Sequence, residues 1–269
     1  MTATGPLIEV QGFGKDYAGR PLLRDVSFEV LPGETIGLIG KSACGKSTIL
    51  RHLAGLEGRE SGAVHGRMFL NLAARKGLAG ERLNLLRLPE WWIKRNGIRG
   101  RIIGMVFQHD TLFDFLTVFG NLEWALRETT RRTRPERRAK IEAVLDLVDL
   151  PTTEEFLKRS VERLSGGERR RLALARTLAL DPEVVLYDEP TTGLDPPTVS
   201  EVTRVMNRFK QQGLTGIITS HDMETIRRVA DKVGMVRDGR LTFFGRVDEA
   251  GHDPHLQAFM AGDRMPQGA

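Results

Sequence analysis

A single cysteine, Cys44, is all the thiol this 269-residue chain contains, so no internal disulfide is possible and a reducing compartment is consistent with it. No apolar run approaches the ~20 residues that a membrane-crossing helix needs. The N-terminus also lacks the charged, apolar and small-residue order of a secretory signal. The expectation is a soluble, intracellular chain. Charge of one sign is scarce as well: 40 Lys and Arg against 35 Asp and Glu leave +5. So mild an excess permits nucleic acid or an anionic membrane without pointing to either. The positive residues gather at 75–101, 127–140 and 169–176; the last two stretches follow helical patterns with interspersed glutamates and read as solvated helix faces. The length is enough for one large α/β domain or two small ones with a proper core.

What is present is organised around residues 40–48, Gly-Lys-Ser-Ala-Cys-Gly-Lys-Ser-Thr, which match G-x-x-x-x-G-K-[ST]. The apolar run 35–39 before it can be a buried strand, and Ile49, Leu50, Leu53 and Ala54 after it recur at helical spacing. Strand, glycine loop and helix in that order make a phosphate-binding loop. Gly40 and Gly45 let the backbone turn its N–H groups toward phosphate oxygens, and the helix adds its positive dipole end. Lys46 is expected on the β- and γ-phosphates and the Ser47 hydroxyl on magnesium. Cys44 is a compact residue there, although a helix N-terminus favours thiolate and so reactivity.

Residues 7–31 read as an antiparallel edge in which Val26, Phe28 and Val30 share a face, and Pro32-Gly33 turns into the strand before the loop. Tyr17 sits between the first two strand candidates, where a ring can stack on adenine but more often only packs. Residues 67–101 mix Leu70, Leu72, Leu78, Leu83, Leu85, Leu86 and Leu88 with Arg75, Lys76, Arg82 and Arg87, then Trp91, Trp92, Lys94 and Arg95; the two readings open are a basic amphipathic element and an ordinary insertion packed on the sheet. A strand over 102–107 ends at Gln108. Helices are expected over 117–128 and 135–148, with Pro135 in a first turn and Ile141, Val144, Leu145 and Val148 as a stripe.

Leu164-Ser165-Gly166-Gly167-Glu168 opens a further helix with capping-box spacing. Capping does not explain two consecutive glycines, which would let another molecule's phosphate reach bare backbone N–H groups. The apolar run 184–187 ends in Asp188 and Glu189, placed to handle magnesium and an attacking water. A helix over 198–211, a strand over 215–219 and His221 follow; the histidine stands at the same sheet edge as the acids. Residues 233–244 form a hairpin, and the polar tail from Arg246 has Pro254, Leu256, Phe259 and Met260 as anchors.

In this order the landmarks resemble the ATP-binding cassette (ABC) family of transporter ATPases over nearly the whole chain. The resemblance implies an α/β fold of the ABC-type P-loop NTPase: a RecA-like core with an antiparallel β edge over 1–107 and 181–245, an inserted α-helical subdomain over 108–180, and a short tail over 246–269, with 67–101 as an atypical insertion. It implies ATP and Mg2+ as cofactors. By the same resemblance Tyr17 stacks on adenine, and Gly40, Lys41, Ser42, Ala43, Cys44, Gly45, Lys46, Ser47 and Thr48 hold the phosphates. Gln108 joins Ser47 and Asp188 on the metal and senses the membrane partner. Glu189, His221 and Lys46 are catalytic. Ser165, Gly166, Gly167 and Glu168 face the ATP held by a partner subunit, and Asp195 belongs to the D-loop. Two positions depart from the family pattern. Ala43 stands where glycine is usual, so this position either avoids positive φ or bears strain. Glu168 replaces the signature glutamine, with a capping role that turns it from phosphate.

Residues 107–113, 118–128, the Arg170-Arg171 pair and the tail over 253–262 look like the ATPases of Mla and Mce lipid transporters. The expectation is therefore an ATP-hydrolysing subunit that powers transport of lipids or another hydrophobic substrate. It would work as a homodimer on the cytoplasmic face of the inner or plasma membrane, through separate permease chains, with an Mce-domain or other lipid-binding protein and no nucleic acid. The alternative is the ATPase of an importer for amino acids or other small polar solutes, which shares every catalytic motif. A second alternative is a non-transport ABC ATPase acting on DNA or the ribosome; a single cassette and the lack of a long heptad insertion weigh against it.

Overall fold

The computed structural model describes residues 5–58, 62–72 and 81–253, together with 256, 257 and 259. Three of its strands, β3 (Thr35–Ile39), β7 (Val184–Asp188) and β8 (Thr215–Ser220), are buried at every residue. Strands buried along their whole length belong in a parallel sheet covered on both faces. That sheet is completed by β6 (Ile103–Val106), β9 (Lys232–Arg237) and β10 (Arg240–Arg246) in the order β10-β9-β3-β8-β7-β6; only the β10/β9 pair is antiparallel.

Alternate residues of the strands feed two cores. Val185, Tyr187 and Ile218 join the core built with the helices α3 (Val118–Thr129), α4 (Arg134–Leu147), α6 (Gly166–Leu178), α7 (Pro196–Gln211) and α8 (Met223–Val229). Val184, Leu186 and Ile217 join the other, which contains α1 (Lys46–Leu53) and a second sheet. Strand position therefore decides which layer a side chain supports.

The second sheet is antiparallel, in the order β2-β1-β4-β5, from β1 (Ile8–Tyr17), β2 (Arg20–Val30), β4 (Val64–Leu72) and β5 (Glu81–Asn84). In β2 the expected alternation holds, with Val26, Phe28 and Val30 buried between exposed Ser27 and Glu29. Among the described residues of 67–101 no basic amphipathic element forms. The leucines described there go to two strands and short turns: Leu70, Leu72, Leu83 and Leu85 are buried, and Arg82 pairs with Glu9 at 2.8 Å. A short helix, α2 (Glu90–Arg95), then buries Ile93 and leaves Trp91 64% exposed. Leu78, Arg75 and Lys76 lie outside the described residues, as do Pro254 and Met260; Leu256 is buried and Phe259 packs on the helical core, as expected of anchors.

Capping sets the helix starts. Thr133 and Glu136 form a capping box at α4 with Pro135 in its first turn, and Asp195 caps α7 two residues earlier than the sequence pattern suggested. A four-residue turn of helix, α5 (Glu154–Leu157), precedes α6. No helix among the described residues is long and apolar enough to cross a membrane.

Candidate functional site

The carboxyl ends of β3, β7 and β8 bring Gly40, Lys41, Lys46, Ser47, Asp188, Glu189 and His221 together, the edge of an open α/β sheet where ligands bind. Gly40 and Gly45 have φ of +151° and +104°. Space forbids a side chain as firmly as conformation does. A Cβ at Gly40 would lie 2.3 Å from the Val236 carbonyl oxygen, and one at Gly45 would lie 2.7 Å from Leu23 Cδ2. Ala43 takes φ of +62°, so of the two options its departure left open, the loop bears the strain. Ser42 and Ala43 are exposed, and Thr48 is buried with its carbonyl on His52 Nδ1 at 2.8 Å.

Lys46 is 5% exposed. Its Nζ donates to the Gly40 and Lys41 carbonyls at 2.9 and 3.3 Å and lies 3.5 Å from Glu189 Oε1. Ser47 Oγ donates to Asp188 Oδ1 at 2.7 Å, and Thr219 Oγ1 donates to the same oxygen at 2.8 Å. Glu189, at φ of +49°, donates its N–H to Thr219 Oγ1 at 3.0 Å; its Oε2 accepts from Thr192 Oγ1 at 2.9 Å and meets His221 Nδ1 at 2.8 Å. Thr219 and Thr192 were missed by sequence reasoning. Thr219 was within reach of it, since it closes an apolar strand one residue before Ser220-His221.

Cys44 does not behave as its helix-end position suggested. Burial pushes its thiol up, against the smaller pull of Lys46, so the neutral form is favoured. Other expected residues stand apart from the cluster. Gln108 is exposed, and among the described residues no hydrogen bond joins its side chain to Ser47, Asp188 or Glu189. Tyr17 lies on the antiparallel sheet, with its hydroxyl on Glu57. Asp195 Oδ1 accepts from Thr198 Oγ1 at 2.7 Å. Glu168 Oε2 accepts from the Ser165 N–H at 2.8 Å while Ser165 Oγ accepts from the Glu168 N–H at 3.2 Å; Arg159 lies 3.7 Å from the same carboxylate.

The arginines of α6 do not form the solvated face expected over 169–176. Arg170 is 5% exposed and donates to the Phe107 and Gln108 carbonyls at 2.7 and 2.5 Å. Arg169 is bidentate on Asp110, and Arg176 reaches the Thr111 carbonyl at 3.0 Å. Desolvation on burial lowers Arg170, only partly countered by Asp110. The loop that follows β6 is thus tied to the helix that begins at Gly166.

The donor set fits a nucleotide with magnesium. Two side-chain-free positions, a lysine and a helix N-terminus suit phosphate. Ser47 and Asp188 offer hard oxygens, and among the described residues no group of three or more His, Cys, Asp or Glu could cage a metal. Magnesium, which keeps waters and phosphate oxygens around one or two protein oxygens, suits such a pair.

Fold and cluster together define a phosphate-loop nucleotide hydrolase. Residues 23–192 match the ABC transporter family, and the chain belongs to it as an ATP-hydrolysing cassette, the ATP-binding subunit of an ABC transporter. It is 35% identical over 266 residues to the methionine import ATP-binding protein MetN of Corynebacterium efficiens, covering 96% of this chain and 68% of that one. It is 36% identical over 249 residues to the sulfate/thiosulfate import ATP-binding protein CysA of Bordetella parapertussis, covering 92% and 64%. The chain thus spans about two thirds of the length of these relatives. Among solved structures, cbiO1 from Clostridium perfringens, part of the ABC transporter complex cbiONQ, superposes with a TM-score of 0.76 at 23% identity, over 98% of this chain and 97% of that one. A dimeric ATP-binding cassette in a post-hydrolysis state with ADP and Pi gives 0.74 at 24% identity, over 89% and 98%. These two likenesses show the fold.

Proposed function

We propose that this chain is the ATPase subunit of an importer for a small polar solute, working as a pair of cassettes on the cytoplasmic face of the membrane beneath separate permease chains. The observation that carries this reading is the match to MetN along 96% of the chain, supported by the match to CysA. Both relatives are named for import of small polar solutes. The lipid expectation, with its Mce-domain partner, has no such support. One of its marks, Arg170, has an internal use in binding the Phe107 and Gln108 carbonyls, and most of the tail lies outside the described residues.

The chemistry assigned to the residues follows from their places. Lys46 leaves the Gly40 and Lys41 carbonyls for the β- and γ-phosphates. Ser47 and Asp188, with Gln108 as the third expected ligand, would hold magnesium, which when bound neutralises phosphate charge. Glu189 orients the water that attacks the γ-phosphorus and accepts its proton as the bond to the β-phosphate oxygen breaks. His221, already on Glu189, is placed to hold the γ-phosphate. Tyr17 stacks on the base, and Ser165 with Gly166 closes on the nucleotide of a second cassette. The division into core, helical subdomain over 108–180 and tail belongs to the same reading.

The test is purification of the tagged chain from detergent-solubilised membranes, with co-purifying proteins identified by mass spectrometry. A permease encoded beside a periplasmic solute-binding protein supports the proposal. A permease with an Mce-domain protein and phospholipid would return the lipid reading, and ribosomal or DNA-repair proteins without a permease would overturn transport.

A further inference from the structure

Tyr17 closes β1, with its backbone fixed by the strand pairing and its ring held at two places. Its backbone pairs with Arg20 across the hairpin. Its hydroxyl donates to Glu57 Oε1 at 2.7 Å. The Nζ of Lys15, a residue with no exposed surface, lies 4.7 Å from the ring centroid and also donates to the Gly62 carbonyl at 3.2 Å. A cation over one ring face leaves the other for a partner. Glu57 follows α1 in the chain, and its second oxygen lies 3.3 Å from His52 Nδ1, which donates to the Thr48 carbonyl at 2.8 Å. One carboxylate therefore joins the aromatic platform to the helix that starts at Lys46.

We propose that Glu57 is a positioning residue for nucleotide binding: it fixes the Tyr17 ring, at its hydroxyl, in the orientation and distance from the phosphate loop that a stacked nucleobase requires. The proposal rests on the reading of Tyr17 as the base-stacking residue. An alternative use for Glu57 is plain support of the end of α1 through His52. The two differ in what they touch. A support for α1 affects every ligand of the phosphate loop, whereas a support for Tyr17 affects only ligands that carry a base. Because the hydroxyl is committed to Glu57, the ring contributes a face and not a hydrogen bond to the base. Burial, and then the bond to Glu57, push that hydroxyl up, which keeps it a donor.

The experiment measures equilibrium binding of MgATP and of magnesium tripolyphosphate, which has no base, by calorimetry on the full chain carrying Glu189→Gln to stop turnover. Loss of one such hydrogen bond predicts that Tyr17→Phe and Glu57→Ala each weaken ATP by a factor of about 3 to 10. Tripolyphosphate affinity stays within about twofold, Glu57→Gln, which keeps an acceptor, restores most of the ATP affinity, and the double variant is no weaker than either single one. Equal losses for ATP and tripolyphosphate on Glu57→Ala, or effects that add fully in the double variant, overturn the proposal. If Glu57→Ala does not fold, Tyr17→Phe and Glu57→Gln decide alone: ATP affinity unchanged in Tyr17→Phe removes the hydroxyl's role. Failure of the parent chain to bind MgATP at all would refute the ATPase reading; intact binding that ignores Tyr17→Ala would refute only the base-stacking role on which this inference rests.

Discussion

Ala43 gives a test of strain that can be worked through with numbers. Its φ of +62° is the left-handed region, which costs an L-residue about 1–2 kcal/mol. Ala43→Gly removes that cost. It also loosens the unfolded chain, which costs about 0.4–1 kcal/mol. The side chain is exposed, so no packing is lost. The net gain lies between about 0 and 1.6 kcal/mol, which for a chain of this size raises Tm by up to about 6 °C. The assay is thermal unfolding of the nucleotide-free protein and its variant in one buffer, repeated with saturating MgATP. Bound nucleotide adds stability by mass action, so an equal rise in both conditions is expected if the loop keeps its conformation on binding. A Tm that falls on Ala43→Gly would refute the reasoning, because no balance of the two terms above favours alanine at this φ.

Glu189→Gln keeps the shape beside Lys46 and Thr192 but removes the proton acceptor, and is expected to cut steady-state ATP turnover by about 10²–10⁴-fold while MgATP still binds. Burial holds His52 below its ordinary value of 6.5. The unfolded state therefore takes up the proton first as pH falls; this contribution is whole above about 6.5 and is lost below it, with a slope of at most about 1.4 kcal/mol per pH unit. Denaturant unfolding of the wild type and His52→Gln should give a stability gap that narrows between pH 7.5 and 5.5, and a constant gap would contradict it. Gly167→Ala should lower Tm, since its Cβ would lie 2.9 Å from Thr198 Cγ2, whereas Gly166→Ala should not. In a Glu189→Gln background, Gly166→Ala is expected to weaken ATP-driven dimerisation measured by light scattering.

Much of the site was legible because its residues are neighbours in sequence or close a readable strand. The apolar runs in β3, β7 and β8 read as buried parallel strands, and each strand ends at a residue of the cluster or one residue before it. The polar residues that were missed depend on distant partners. Glu57 meets Tyr17 across 40 positions, Thr219 meets Asp188 across 31, and Arg170 meets Gln108 across 62. A helical run of arginines reads as a solvated face until another segment is known to fold over it. In 67–101 the leucines alternate over β4 but are interrupted by arginines and turns, so neither a period of two nor one of 3.6 persists.

The paired glycines of the signature show where sequence and structure need each other. From sequence, both looked like openings for an outside phosphate. In the fold, Gly167 has an internal reason, because Thr198 leaves no room for a Cβ. Gly166 has none: a Cβ there would meet nothing within 4 Å, and its φ is not positive. At this first position of α6 alanine would meet no clash and is the better helix former, so stability within this chain gives no reason for glycine at 166. Glu168, meanwhile, spends its carboxylate on the Ser165 N–H and Arg159, so the outward face at this helix start is bare backbone at Gly166. On the proposed reading that bareness serves the nucleotide of a second cassette, and Gly166 supports that reading more than the motif as a whole does.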